Sequence, residues 1–214
     1  MKLLQPDIPR SLRSITDLAA LLHRDEALSG LAIDHQDITG ITAKSAVLNE
    51  SKVVTCSFAQ AKIEKLQVRD CTFEHCDFTA CVLADSSWHA VEISESRCSG
   101  MQMQTSALKN VVFKNSKVDF TNFRYAHLEN IIFENCTLTE LDLYSAALKN
   151  VSFIRCTIDN VEFSEAKLQN VDLSSAYIVN LKGIRSLRGA HISPEQLLQL
   201  APYFAQELGI LVND

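Results

Sequence analysis

Residues 126–133 are Ala-His-Leu-Glu-Asn-Ile-Ile-Phe, and similar stretches follow at residues 146–153 (Ala-Ala-Leu-Lys-Asn-Val-Ser-Phe) and 166–173 (Ala-Lys-Leu-Gln-Asn-Val-Asp-Leu). Each stretch begins twenty residues after the one before, and within each the apolar residues return at intervals of five. An interval of five fits neither the 3.6-residue period of an α-helix nor the two-residue period of a strand. These stretches therefore indicate an internal repeat.

The interval of five extends over most of the chain. Every residue whose number ends in 3 or 8 is apolar from Ile33 to Ile178. Hydrophobic residues make up 47% of the sequence, so chance would give this run of thirty about once in 10¹⁰ trials. A second column, at numbers ending in 1 or 6, is small or aliphatic almost throughout, and the other positions are mostly polar. Each group of five therefore directs two residues inward and three outward.

The sequence also has a longer period of twenty residues. Asn110, Asn130, Asn150 and Asn170 recur at one phase of it. Twenty residues are four fives, which predicts a four-sided coil that returns to the same corner. Asparagine suits such a corner because it tolerates a left-handed backbone. Stacked asparagines also predict a ladder of amide hydrogen bonds along one edge.

Single fives such as residues 76–80 (Cys-Asp-Phe-Thr-Ala) and 161–165 (Val-Glu-Phe-Ser-Glu) carry a family resemblance. In unbroken register over residues 31–180, the pattern resembles that of the pentapeptide-repeat family. The resemblance implies an all-β solenoid, a right-handed quadrilateral β-helix with one pentapeptide on each side. Thirty repeats at four to a coil predict about 7.5 coils.

The ends of an open solenoid need caps, because they expose core and unpaired strand edges. Residues 1–30 are predicted to form an N-terminal helical cap with a short helix near 15–27, and residues 181–214 a C-terminal helical cap and tail. The sequence Ser193-Pro194-Glu195-Gln196 is typical of a helix start. An apolar face follows it, at Leu197, Leu200, Ala201, Phe204 and Leu208.

The apolar tail after Gly209 has two interpretations. In the first, Ile210, Leu211 and Val212 fold onto the last coil. In the second, these residues form a homodimer contact together with Phe204 and Leu208. The resemblance to quinolone-resistance pentapeptide proteins, which dimerise through similar C-termini, implies the second.

The sequence predicts no catalytic residue, no metal site and no cofactor. Six of the seven cysteines fall in the small inward column and Cys98 in the large one, where cysteine acts as a compact hydrophobe. Successive cysteines lie on different sides of the coil and do not converge as zinc ligands do. The histidines within the array point outward from different sides and corners. We therefore expect that the chain is not an enzyme.

Charge and hydropathy narrow the classes of partner. The net charge is −6, all of it within residues 31–180, and no basic stripe for direct nucleic-acid binding occurs. No apolar run approaches the roughly 18–20 residues that span a bilayer. The first residues lack the apolar core of a signal peptide, so we expect a cytoplasmic protein.

Two functional hypotheses follow. The first is a non-catalytic rod that binds an unidentified protein, with Val112 and Ile132 as an apolar patch on one side. The alternative, which the family resemblance implies, is a local DNA mimic. It would bind a type II topoisomerase, DNA gyrase or topoisomerase IV, and protect it from quinolones or a toxin. The acidic residues proposed for this contact are Glu140, Asp142, Asp159, Glu162 and Glu165.

Overall fold

A left-handed backbone recurs at intervals of five residues from Gly30 to Asn170, except at Ser45, and gives the coil its corners. We analysed a computed structural model, which describes residues 3–22 and 27–212. In it, 25 residues other than glycine have φ angles between 48° and 61°, and every one has a number ending in 0 or 5. Four such corners bring the chain back to its starting side after twenty residues.

The strands between corners pair in parallel and form three sheets. The largest sheet contains β1 (Arg13–Ile15), β2 (Leu28–Ser29), β3 (Leu31–Asp34), β5 (Val47–Asn49), β6 (Lys52–Val54), β8 (Gln67–Glu74), β9 (Ser87–Ser94), β10 (Ala107–Lys114), β11 (His127–Glu134), β13 (Ala147–Ile154), β15 (Lys167–Asp172) and β17 (Ala190–His191). The second contains β12 (Thr137–Thr139), β14 (Thr157–Glu162) and β16 (Tyr177–Lys182). The third contains β4 (Thr42–Ala43) and β7 (Lys62–Ile63).

The register between neighbouring coils is twenty residues in the centre of the rod. Leu108 pairs with Leu128, and Leu128 pairs with Leu148. We number the sides from one central coil: residues 107–109 lie on side 1, 112–114 on side 2, 117–119 on side 3 and 122–124 on side 4. Each side recurs every twenty residues. The predicted fold class, a parallel β-solenoid, is confirmed.

The solenoid has about nine turns, more than the 7.5 counted from the sequence. Strand β1 pairs with β3 in front of residue 31, and β17 pairs with β15 after residue 180. The register of these end pairs is eighteen and nineteen residues, because Arg13 pairs with Leu31 and Val171 with Ala190. The five-residue pattern is absent from these stretches, so counting repeats could not include them.

The interior consists of the two predicted columns. The rings of Phe113, Phe133 and Phe153 stack with centroid separations of 5.0 and 5.1 Å and near-parallel planes. All three are fully buried, as are the small residues between them, such as Val111 and Ile131. Burial of a phenylalanine side chain contributes about 1.5–3 kcal/mol. The columns therefore supply most of the favourable free energy of folding.

One inner column contains both thiols and hydroxyls. Its members share the phase of residue 116 and are Cys56, Cys76, Ser96, Ser116, Cys136 and Cys156. Each side chain lies near the carbonyl two residues before it. Ser116 Oγ donates to Lys114 O at 2.8 Å, and Cys136 Sγ lies 3.4 Å from Glu134 O. Serine and cysteine therefore occupy equivalent slots.

The N-terminal cap is shorter than the helix expected near residues 15–27. Ile15 belongs to β1, which covers the open edge of β3, and helix α1 comprises Leu18–Leu22. Residues 23–26 lie outside the described residues. Leu18 and Leu22 are buried against the first coil, and the Leu18 amide donates to Gln36 Oε1 at 3.2 Å. The edge of the sheet is thus covered by a strand as well as a helix.

The C-terminal cap begins at Gly183, where the chain leaves the last coil. This residue has φ of 73°, and a Cβ atom here would lie 2.2 Å from the Ser164 amide nitrogen, so only glycine fits. A 3₁₀ turn (Ile184–Leu187) and β17 lead to helix α2 (Pro194–Glu207). The predicted start of α2 at Ser193 is confirmed, with a reciprocal pair of hydrogen bonds between Ser193 and Gln196.

Glutamine side chains of α2 satisfy backbone carbonyls at the open end. Gln196 Nε2 donates to Leu173 O at 2.8 Å and to Ala176 O at 2.7 Å, and Gln199 Nε2 donates to Ile178 O. Unsatisfied buried carbonyls cost free energy comparable to a lost hydrogen bond. The helix therefore closes the last coil by polar contacts as well as by burial of Leu200.

The equivalence of serine and cysteine in the inner column gives a testable prediction. We expect Cys136→Ser to change the free energy of unfolding by less than about 1 kcal/mol, because the hydroxyl can donate to Glu134 O as Ser116 does to Lys114 O. Cys98→Ser is the matched control. Its Sγ lies in the large column and makes no hydrogen bond among the described residues, so a hydroxyl there should cost about 1–3 kcal/mol. Equal losses in urea unfolding would contradict the prediction.

Candidate protein-binding surfaces

The five predicted acidic residues lie near one another but on two sides. Asp142 and Glu162 are on side 4, where they pair directly across neighbouring coils. Glu140 and Glu165 occupy the corners that bound side 4, with φ of 52° and 61°. Asp159 lies on side 3. The set therefore forms an acidic area centred on side 4 towards the C-terminal end.

Two of these carboxylates are paired with cations of the same chain. Asp142 Oδ2 lies 2.6 Å from Arg124 Nε, and the carboxylate raises the pKa of the Arg124 guanidinium by hydrogen bond and charge. Glu140 Oε2 lies 3.8 Å from Lys182 Nζ. Among the described residues, Asp159, Glu162 and Glu165 make no ion pair. The accessible negative charge is thus smaller than the sequence implies.

Several of the same carboxylates also hold the backbone or the next coil. Asp142 Oδ1 accepts from the Tyr144 amide at 3.0 Å, and Glu162 Oε1 accepts from the Ser164 amide at 2.7 Å. Asp159 Oδ1 accepts from Asn180 Nδ2 at 3.1 Å. These side chains therefore stabilise the coil in addition to presenting charge.

The predicted apolar pair lies on side 2. Val112 and Ile132 are directly paired in register on adjacent coils, as the sequence phase required. Both side chains are half-buried. Glu92 lies below Val112, and Ser152 lies above Ile132. The apolar patch on side 2 is therefore two residues high.

The cysteines all point into the core. All seven are buried and free, and burial raises the pKa of the Cys71, Cys76 and Cys81 thiols to about 12. A thiol reacts as its thiolate, so these groups are unreactive at neutral pH. Within residues 3–22 and 27–212, His, Cys, Asp and Glu side chains form no group of three that could hold a metal ion.

The predicted amide ladder is present at the corner between sides 1 and 2. Nδ2 of Asn130 donates to Asn110 Oδ1 at 3.1 Å, Asn150 donates to Asn130 at 3.0 Å, and Asn170 donates to Asn150 at 2.8 Å. Asn130 and Asn150 each use one donor and one acceptor along the rod. This corner is therefore a structural element of the coil.

Exposed aromatic residues on side 4 were missed in the sequence. Phe120 and Tyr125 occupy the two corners that bound side 4 in one coil, and their side chains are 59% and 51% exposed. Tyr144 lies on side 4 one coil further on, with Arg124 against its ring. The signal was available, since both corner residues have numbers ending in 0 or 5, a column otherwise rich in polar residues and glycine. An analysis of the inward columns alone does not reveal these two aromatic residues, because they lie at outward corner positions.

Of the predicted dimer residues, Phe204 lies in α2, and the others follow the end of that helix at Glu207. Phe204 is half-buried and packs against the core, whereas Leu208 is exposed. The tail residues Ile210, Leu211 and Val212 extend into solvent, with Leu211 91% exposed, and do not fold onto the last coil. A groove of about 820 Å³ separates the tail from α2 and is lined mainly by apolar side chains, including Leu198 and Ala205.

None of the described helices has the length and apolarity to cross a membrane.

The comparisons with known proteins agree with the repeat pattern. Residues 126–182 match the family model of a pentapeptide repeat region. No curated protein matches the chain. The predicted resemblance to pentapeptide-repeat proteins is confirmed.

The solved structures that match this chain have low sequence identity to it and low TM-scores. Trypsin-treated QnrB1, a plasmid-mediated fluoroquinolone resistance protein, has 18% identity and a TM-score of 0.36, with 88% of this chain and 100% of that chain covered. HetL, a pentapeptide repeat protein involved in heterocyst differentiation regulation from the cyanobacterium Nostoc sp. strain PCC 7120, has 11% identity and a TM-score of 0.36. The match covers 82% of this chain and 94% of HetL.

Proposed function

We propose that this chain, in which residues 126–182 match a pentapeptide repeat region, is a non-catalytic, protein-binding rod. The observation that carries the proposal is the exposed apolar surface of the C-terminal cap. Leu198 is 78% exposed and Val212 77%, and both line the groove beside α2. Contiguous apolar surface of this kind is typical of protein contacts.

The outward positions of the rod support the same proposal. Adjacent coils place residues twenty apart directly above one another, so each side presents straight rows of side chains. Rows on a rigid scaffold lose little conformational entropy when a partner binds. A β-solenoid is therefore suited to recognise an extended surface on another protein.

Photo-crosslinking tests whether a partner binds to the rod. We expect a benzophenone amino acid at Ala107, Val112, Thr137 or Asn122, one outward position on each side, to give an adduct with a cellular protein from one side or two adjacent sides. The sides not in contact serve as controls within the same experiment. Absence of an adduct from all four sides would contradict the proposal for the rod.

A second copy of the chain is the partner that we propose for the C-terminal cap. The groove beside α2 and the exposed tail lie on one element, so two copies could bury both surfaces in a symmetric contact. Phe204 would support this contact from the core side, and Leu208, Ile210, Leu211 and Val212 would form it. The cytoplasmic location expected from the sequence remains part of the proposal.

Light scattering tests the homodimer. We expect a mass of about twice the 23.8 kDa of one chain, and the double variant Leu198→Glu/Leu211→Glu should have the mass of one chain because charges enter the buried contact. Val179→Glu, an exposed apolar position on side 3, is the control and should remain dimeric. A wild-type protein with the mass of one chain would rule out the homodimer.

A local DNA mimic that binds a type II topoisomerase is the second candidate. It is favoured by Asp159, Glu162 and Glu165, which make no ion pair among the described residues and lie at the C-terminal end of the rod. Asp142 contributes less, because Arg124 neutralises its charge. The contact would therefore involve a few carboxylates and not the whole rod.

A DNA supercoiling assay with DNA gyrase tests this candidate. Wild-type protein in excess should inhibit supercoiling or relieve poisoning by a quinolone, and Glu162→Lys/Glu165→Lys should weaken the effect about tenfold by charge repulsion. Glu92→Lys/Glu95→Lys, on side 2 and its corner with side 3, is the control with the same change of net charge. An inactive wild type, or equal activity of the acidic-site variant, would exclude the mimic for that enzyme.

A further inference from the structure

Two exposed aromatic residues stand at backbone positions that are costly for bulky side chains. Phe120 and Tyr125 have φ of 54° and 59°, in the left-handed region. Both side chains are more than half exposed, so burial does not compensate for this conformation. The two corners bound side 4 of a single coil. An aromatic pair in this arrangement indicates a role in binding and not in folding.

The surface between these corners already holds a guanidinium group. Arg124 Cζ lies 5.0 Å from the ring centroid of Tyr144, and the Tyr144 ring makes an edge contact with Tyr125 at 5.9 Å. Arg124 Nε lies 2.6 Å from Asp142 Oδ2. An arginine of the chain is thus bound between an aromatic ring and a carboxylate. Arginine is well suited to this because its planar group can stack and pair at once.

A second aromatic–carboxylate pair is present on the same side without an arginine. Lys117 pairs with Thr137 and Asn122 pairs with Asp142, so Phe120 lies one coil below Glu140 at the same corner. Glu140 Oε1 accepts from Asn160 Nδ2, and Glu140 Oε2 lies 3.8 Å from Nζ of Lys182, which is on side 4 two coils further on. The Phe120 ring is open to solvent. This corner therefore offers a guanidinium group the same two kinds of contact that Arg124 has.

The surroundings carry negative charge. Across the three coils from residue 120 to residue 165, side 4 and its corners contain four carboxylates, Glu140, Asp142, Glu162 and Glu165. Arg124 pairs with Asp142 and Lys182 pairs with Glu140, so Glu162 and Glu165 remain without an ion pair among the described residues. This balance attracts a basic partner and repels nucleic acid. The complementary ligand is a cationic protein segment.

We propose that Phe120, Tyr125 and Tyr144, here named the aromatic face, bind an arginine-containing basic segment of a protein partner. The inference rests on the proposed protein-binding function and specifies the partner's chemistry. Guanidinium groups of the segment stack on Phe120 and Tyr125, and the carboxylates of Glu140 and Glu165 pair with its charges. A contact of this kind differs from mimicry of DNA, because the aromatic rings make it selective for arginine over lysine.

Labelled nona-arginine and nona-lysine peptides, which carry equal charge, test the aromatic face by fluorescence anisotropy. Wild-type protein should bind nona-arginine at least about fivefold more tightly than nona-lysine, and the preference should persist at about 0.3 M salt, where surface charge is screened. Phe120→Ala/Tyr125→Ala should weaken nona-arginine binding about tenfold and change nona-lysine binding less than about twofold.

The double variant is expected to fold. Ala80 occupies the corner equivalent to that of Phe120 with φ of 53°, and Ala90 occupies another left-handed corner with φ of 52°, so the coil accepts alanine at such positions. Thermal unfolding followed by circular dichroism confirms this directly. Tyr177→Ala is the matched control, because Tyr177 is an exposed aromatic residue on side 3. It should leave the binding of both peptides unchanged.

The outcomes separate this inference from the proposed function. Equal affinity of the wild type for the two peptides, or equal loss in the Tyr177→Ala control, would overturn the aromatic face. A crosslinked partner on sides 1 to 3 but not on side 4 would also overturn it, while protein binding by the rod would stand. An arginine preference lost only in the Phe120→Ala/Tyr125→Ala variant would support it.

Discussion

The structure depends on the parallel backbone hydrogen bonds between successive coils. Each coil donates to and accepts from its neighbours, as when Phe123 N donates to Asp142 O at 2.8 Å and Asn122 N donates to Met101 O at 2.9 Å. In the centre of the rod these bonds require that every coil contain twenty residues, whereas the end strands β1 and β17 pair at eighteen and nineteen. Left-handed corners at every fifth residue meet this requirement, although each costs about 1–2 kcal/mol for a residue with a side chain. The twenty-residue period, the stacked core and the rows of outward side chains are all consequences of it.

The interior could be predicted from the sequence because both columns are local patterns with a fixed period. The positions of Phe113, Phe133 and Phe153 and the asparagine ladder follow from counting alone. The ends could not be predicted in the same way. Strand β1 joins the sheet through backbone atoms, which any sequence provides, and Gly183 is required by its approach to Ser164 from the preceding coil. Neither feature repeats, so neither leaves a periodic signal.

The positions of the candidate site residues could be predicted from the sequence, but the number of carboxylates available to a partner could not. Sequence phase places Val112 beside Ile132 and Asp142 beside Glu162, and the structure has both pairs. However, an ion pair such as Arg124–Asp142 joins residues that lie eighteen apart and depends on how one long side chain bends across the coil. Side-chain packing on side 4 determines which carboxylate Arg124 contacts. A carboxylate counted from the sequence is therefore not equivalent to a carboxylate available to a partner.

The asparagine ladder gives the rod an electrical direction. In all three of its hydrogen bonds the amide of the later coil donates to the earlier one, so the four side-chain dipoles point the same way. Aligned hydrogen bonds polarise one another, as they do along a helix. The Asn110 end therefore carries partial positive charge and the Asn170 end partial negative charge. This edge therefore has a small macrodipole built from side chains. Most sheets have only a small net dipole, because the dipoles of their strands alternate in direction.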